Sequence, residues 1–207
     1  MAASSSDALS DKAEINDVLL TWGQARDRGE WDTLRACFQP DATVHIAWIS
    51  DTAEEFVRRS AGMLAEWKEG ESSKHFIGGG EVTLNANRAY SRCHVNLISR
   101  LSADGILFDW EFWGQFHDLF ERREDGVWRI FKRTMVYEKD RLDPVIAGQL
   151  PDGYFDAATL ESHPHQIRFL AWRLSLTGRK PVEDVVLART EGETRLIDEC
   201  RNWIRSS

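Results

Sequence analysis

Positive charge is scarce in this chain: 26 Lys and Arg face 34 Asp and Glu, a formal net charge of −8 at pH 7. Nucleic acid and anionic membrane both recruit a basic footprint. Local pairs such as Arg122-Arg123 do not supply one, so neither is an expected partner. Cysteine is scarce too. Cys37, Cys93 and Cys200 are odd in number, far apart and outside any CxxC or Cys/His zinc spacing. That argues against a disulfide framework or a metal site and points to reduced thiols. The opening MAASSSDALSD has no apolar core for a signal peptide, and no later run is long enough to span a bilayer. Internal repeats are missing, and low complexity is confined to the N-terminus. The expectation is a cytoplasmic protein of 207 residues with ordinary globular composition, large enough for one core plus an appendage.

Aromatic residues, by contrast, are abundant, with nine Trp and ten Phe. Most belong in a core, and so many rigid faces also make a pocket for a flat, apolar ligand easy to build. Residues 1–10 read as disordered. Ile15, Val18, Leu19 and Trp22 mark the buried stripe of a helix over 11–28, with Ser10 or Asp11 as its cap and Gly29 as its stop. A short helix over 30–38 follows, stopped by Pro40-Asp41. Residues 42–49, ATVHIAWI, read as a strand with Val44, Ile46 and Trp48 on one face. Asp51-Thr-Ala-Glu54 reads as a capping box for a third helix to about Lys68.

Beyond it, residues 74–87, 89–102, 106–123 and 127–138 are β-rich stretches separated by turn signals at 85–87, 103–105 and 124–126. Gly78-Gly79-Gly80 interrupts the first and predicts a bulge or bend where the sheet curls. The order defines an α+β domain over 11–143: a cone-shaped, curved antiparallel sheet closed by N-terminal helices around an apolar cavity. Residues 144–207 form a helical C-terminal extension that packs on the cone, covers its mouth or joins a subunit interface.

Few residues combine the chemistry and the placement to act in that cavity. Strand alternation sends His45 outward, and His163 and His165 lie in the tail segment SHPHQ without a third metal ligand. His75 begins a strand just before the glycine bend. Asp27 ends the first helix, where the macrodipole disfavours a carboxylate, so it is either a surface residue or one kept for a task. Facing inward, Asp27 would accept from one ring nitrogen of His75 and leave the other as a base near neutral pH. The alternative is a solvated Asp27 and a structural His75. Arg133, on the last strand, either stabilises an oxyanion or leaving group or pairs with Asp109, Glu111 or Asp118.

Three stretches carry a family resemblance. AEINDVLLTWGQARDRGEWDTLRACFQPDATV resembles the opening of SnoaL-like proteins of the nuclear transport factor 2-like superfamily. His75-Phe-Ile-Gly-Gly79 is similar to a motif of scytalone dehydratases. Phe120-Glu-Arg-Arg-Glu-Asp-Gly-Val-Trp128 resembles the last hairpin of scytalone dehydratases and hexachlorocyclohexane dehydrochlorinases. The resemblance implies a cystatin-like α+β barrel. It also implies a His75–Asp27 dyad that abstracts a proton in an elimination, without metal or organic cofactor. On the fourth strand it turns Gln115 and His117 into the pocket, although a core role for His117 fits equally well. It further implies dimers or trimers associated through the outer sheet face.

The sequence departs from that pattern in two places. Ser99 stands at the register of the dehydratases' second histidine, with His94 on the opposite face. Their two tyrosines are missing, and the nearest residues are Arg26 and Ile46. The lead expectation is therefore a lyase acting on a small hydrophobic, aromatic or alicyclic molecule. Its base is His75, oriented by Asp27; Gln115, His117 or Arg133 hold the developing charge, and Trp22, Trp48 and Trp113 line the pocket. An isomerase or cyclase on the same scaffold, or a non-catalytic binding module or oxygenase-associated subunit, are the alternatives.

Overall fold

In the computed structural model, residues 5–206 are described. Helix α1 (Ser5–Arg28) buries Ile15, Leu19, Trp22 and Ala25, one stripe at i, i+4, i+7 and i+10. It begins at Ser5, so residues 5–10 are helical rather than disordered, and residues 1–4 lie outside the described residues. Asp11 is not a cap. It lies within the helix, where Oδ1 accepts from Arg122 Nη1 at 2.6 Å and Trp128 Nε1 at 3.0 Å, and so pins α1 to the far sheet. Gly29 ends the helix with φ +71°. The left-handed backbone favours glycine there, and a Cβ would also push the Leu64 methyl, now 2.8 Å from that position, aside.

Helix α2 (Trp31–Ala36) leads into strand β1 (Phe38–Ile46), which starts earlier than expected. Pro40 and Asp41 lie inside it, where the register against its parallel neighbour shifts between Phe38 and Thr43. A residue without an N–H is tolerated at such an interruption. Strand β2 (Ile49–Thr52) folds back antiparallel on β1. Helix α3 (Ala53–Ala65) is capped by Thr52, whose Oγ1 accepts from the Glu55 N–H at 3.2 Å, one residue later than the expected box. Such a cap contributes about 1 kcal/mol.

Five strands follow: β3 (Ser72–Ile77), β4 (Glu81–Asn85), β5 (Arg88–Ala103), β6 (Ile106–Arg122) and β7 (Trp128–Pro144). Both β3 and β4 pair with β5, on residues 95–100 and 88–92, and Gly78 to Gly80 span the break between them. Strands β5, β6 and β7 form a long antiparallel meander with register shifts at Trp113/Gly114 and Leu119/Phe120. The sheet order is β2-β1-β7-β6-β5-β3, with β1 parallel to β7. Helix α1 packs on β3, β4 and β7, and α3 on β1 and β2, so the helices close the concave side of a curved α+β sheet.

The extension continues with α4 (Ala157–Glu161), α5 (Arg168–Ser175), β8 (Val186–Leu187) and α6 (Glu191–Arg205). Helix α5 packs on β7, and β8 adds parallel to β7 through Val136 and Tyr137. Helix α6 buries Leu196, Cys200 and Ile204, an i, i+4, i+8 stripe, against Tyr90, Leu119 and Val136 on the convex face. The main core lies on the concave side and includes Trp22, Phe56, Trp110, Phe116 and Trp128. All three cysteines are buried and unpaired.

Candidate active site

The concave side encloses a cavity of about 470 Å³. An aromatic cluster forms part of its wall, with Trp22 from α1, Phe56 from α3, and Trp110, Phe112 and Phe116 from β6. Trp48, in the turn between β1 and β2, stacks on Phe56 at 5.4 Å. Alternation along β3 turns Ser73, His75 and Ile77 inward and leaves Phe76 59% exposed.

Asp27 and His75 meet at this wall. His75 Nδ1 lies 2.6 Å from Asp27 Oδ1, and the His75 backbone N–H donates to Asp27 Oδ2 at 2.8 Å. One carboxylate thus fixes both the ring and the strand that carries it, which compensates its poor position near a helix C-terminus. The side chains are 11% and 6% exposed, and Trp22 packs edge-on to the imidazole at 5.3 Å. A carboxylate only accepts, so Nδ1 carries the proton and the Nε2 lone pair is left for the cavity. Burial, opposed by the hydrogen bond and charge of Asp27 and reinforced by Arg26 and Arg133, pushes His75 below its ordinary 6.5. The ring is neutral at neutral pH.

Arg133 takes the paired reading of its sequence position, with Asp118 as the partner. Its Nε and Nη2 donate to Asp118 Oδ1 and Oδ2 at 2.8 and 2.7 Å, in a pair exposed by no more than 1%. Its Nη1 is buried without a partner among the described residues, and the guanidinium lies 3.9 Å from the Phe116 ring and 4.2 Å from Trp22. Arg133 thus lines the cavity and carries one buried donor without a partner among the described residues. Trp22 Nε1 is a second buried donor without a described partner.

Three expected pocket residues lie elsewhere. On β6 the even positions from Trp110 to Phe116 face the cavity, and the odd ones face out. Gln115 donates to Glu138 at 2.7 Å on the convex face. Trp113 lies on that same face, under Lys139 at 4.3 Å. His117 is buried beneath α6 with Nδ1 2.6 Å from the Tyr90 hydroxyl, the core reading of that residue. The parity was visible in the sequence: Trp110, Phe112, Gly114 and Phe116 carry no polar side chain, whereas Asp109, Glu111, Gln115 and His117 do. His45 does turn away from the cavity, and its ring contacts Ser50 Oγ at 2.9 Å and the Asp184 carbonyl at 3.0 Å.

Several cavity residues escaped the sequence reading. Arg26 and Arg173 both line the cavity, and no local signal in the sequence marks Arg173, since nothing in α5 shows which strand it packs on. Among the described residues no group of three or more His, Cys, Asp or Glu side chains is placed to hold a metal ion. No described helix is long and apolar enough to cross a membrane.

This fold and cavity place the chain in the SnoaL-like domain family, whose profile matches residues 7–134. The protein AN9274 of Emericella nidulans, itself uncharacterised, is 30% identical over 183 residues, covering 84% of this chain and 75% of its own length. Among solved structures, a candidate scytalone dehydratase from Novosphingobium aromaticivorans superposes with a TM-score of 0.58 at 17% identity, over 74% of this chain and all of that one. A type 2 hexachlorocyclohexane dehydrochlorinase, LinA, gives 0.57 at 19% identity, over 72% of this chain and 99% of that one. At such identities these likenesses speak for the fold.

Proposed function

We propose that this protein is a cofactor-independent lyase that removes a proton from carbon in a small hydrophobic molecule and expels water, halide or a small carbon fragment. The carrying observation is the 2.6 Å contact between Asp27 and His75 Nδ1 at the wall of an aromatic cavity. In this reading His75 Nε2 takes the proton, and Asp27 stabilises the imidazolium without itself being protonated. Arg133 Nη1 stabilises the charge that develops on the departing group or on an enolate oxygen. Trp22 and Trp48 supply flat walls for the ring. The dehydratase and dehydrochlorinase names attached to similar folds are consistent with this reaction class.

A panel of hydroxylated and halogenated cyclic compounds, followed by mass spectrometry, tests the reading. Loss of water or hydrogen halide supports it, and turnover that leaves the mass unchanged replaces it with an isomerase. His75→Ala should abolish turnover with the melting temperature nearly unchanged; loss of activity and fold together would make His75 structural. Asp27→Asn should lower kcat far more than it changes KM. Because His75 titrates below 6.5, kcat/KM should stay flat as pH falls to about that value and decline only below it. A decline that begins near pH 8 would contradict the assignment of His75 as the base.

A further inference from the structure

The cavity reverses the sign of the chain. Six cationic side chains and three carboxylates line it, in a protein of net charge −8. Several of these charges are already committed. Arg133 is clamped to Asp118, and Arg100 to Asp109 by two bonds of 2.8 Å. The Glu71 carboxylate accepts from the Lys68 and Ser102 backbone N–H groups at 2.9 and 2.8 Å.

Arg26 and Arg173 are different. Neither makes a hydrogen bond or ion pair among the described residues. Each guanidinium rests near an indole, Arg26 at 5.8 Å from Trp31 and Arg173 at 4.9 Å from Trp110. They come from opposite ends of the chain, α1 and α5, yet line the same cavity. The charge of Arg26 is felt by His75, and that of Asp27 by Arg26, so this guanidinium belongs to the surroundings of the dyad. Burial pushes both down to about 10; the charge of Asp27 opposes this at Arg26 and that of Glu71 at Arg173, while Arg173 and Arg179 respectively add smaller repulsions. Asp27 is already bonded to His75 and Glu71 to backbone N–H groups, so two half-buried cations face one cavity with no carboxylate hydrogen-bonded to either, at a cost in hydration. A ligand carboxylate would relieve that cost, and the planar guanidinium fork matches its geometry.

We infer that the ligand of this cavity is a ring-bearing organic carboxylate whose anionic group is held between Arg26 and Arg173 while its apolar body lies against the aromatic wall. The inference rests on the lyase reading for what happens to that ligand, but not for its binding. It makes the C-terminal extension, through Arg173, a specificity-determining part of the site.

Calorimetric titration of the full chain with 2-naphthoate and its neutral analogue 2-naphthamide tests the inference. Naphthoate should bind about ten-fold or more tightly than the amide, and its advantage should shrink as salt rises. Arg26→Met and Arg173→Met keep much of the apolar stem. Each should erase the preference for naphthoate and leave naphthamide affinity unchanged. Equal affinity for the two compounds, equal weakening of both by the variants, or no saturable naphthoate binding would overturn the inference. Should a variant not fold, the acid–amide comparison in the unaltered protein decides alone. Anion-selective binding by a protein that eliminates nothing from any tested carboxylate would sink the lyase reading and leave this one standing.

Discussion

Removing Asp118 tests how the cavity holds its deepest charge. Asp118 and Arg133 are exposed by 0% and 1%, and two short hydrogen bonds join them. Burial alone pushes the Asp118 carboxyl up, and Arg133 pulls against it. Asp118→Leu would strand a guanidinium that cannot lose its proton, at a cost of about 3–5 kcal/mol. The rings of Trp22 and Phe116 against Arg133 return only about 1–2 kcal/mol, too little to replace the carboxylate. In a chain of this size the melting temperature should fall on the order of 10 °C. Arg133→Met in the same protein removes the stranded charge, and the double variant should recover to within about 1 kcal/mol of the unaltered protein. A double-mutant cycle by urea denaturation then gives a coupling energy of roughly 2–4 kcal/mol. The folded double variant should still lose turnover, because the free Nη1 donor is gone. The reasoning fails if Asp118→Leu costs under about 1 kcal/mol, or if the two changes simply add.

Two further predictions concern stability away from the dyad. Burial, with a smaller contribution from Arg92, pushes His117 down to about 4. An unfolded histidine titrates near 6.5, so between those values the unfolded chain binds a proton that the folded one refuses. Stability should therefore fall by about 3 kcal/mol as pH drops through that window. The gap between the native protein and His117→Phe should change by that amount between pH 7 and pH 4, and a constant gap would refute the assignment. Gly114 lies at a β6–β7 register shift, and a Cβ there would collide with the Val136 carbonyl oxygen and the Met135 methyl. Because one obstacle is backbone, Gly114→Ala should cost roughly 1–3 kcal/mol or more in chemical denaturation. A loss below about 0.5 kcal/mol would show that the strand yields.

The dyad's contact was legible through the family resemblance rather than through local regularities. Strand alternation and the three glycines fit an inward His75, but the position of Asp27 at the end of a helix fits a surface residue as well as an inward one. The inward face of β6 was also legible, but the family pattern placed Gln115 and His117 inside, and the apolar parity of Trp110, Phe112 and Phe116 contradicted it. The capping box shifted by one because Asp51 and Thr52 are both competent caps and only the β2 turn chooses between them. The parallel pairing of β1 with β7 and the arrival of Arg173 were not legible. Both depend on contacts between distant segments, which no short-range period records.

The segment from Val145 to Val185 leaves the end of β7 and returns to the middle of the same strand, where β8 pairs with Val136 and Tyr137. A further tie, from the Val182 N–H to the Ala47 carbonyl at 2.8 Å, holds the returning end. The excursion is a handle with both feet on one strand, and α5 with Leu170, Arg173 and Leu174 is its grip over the cavity. A handle moored twice can flex but cannot swing clear. Its two-residue foot is the weaker mooring, so Val186→Pro should loosen the roof from a position outside the cavity lining.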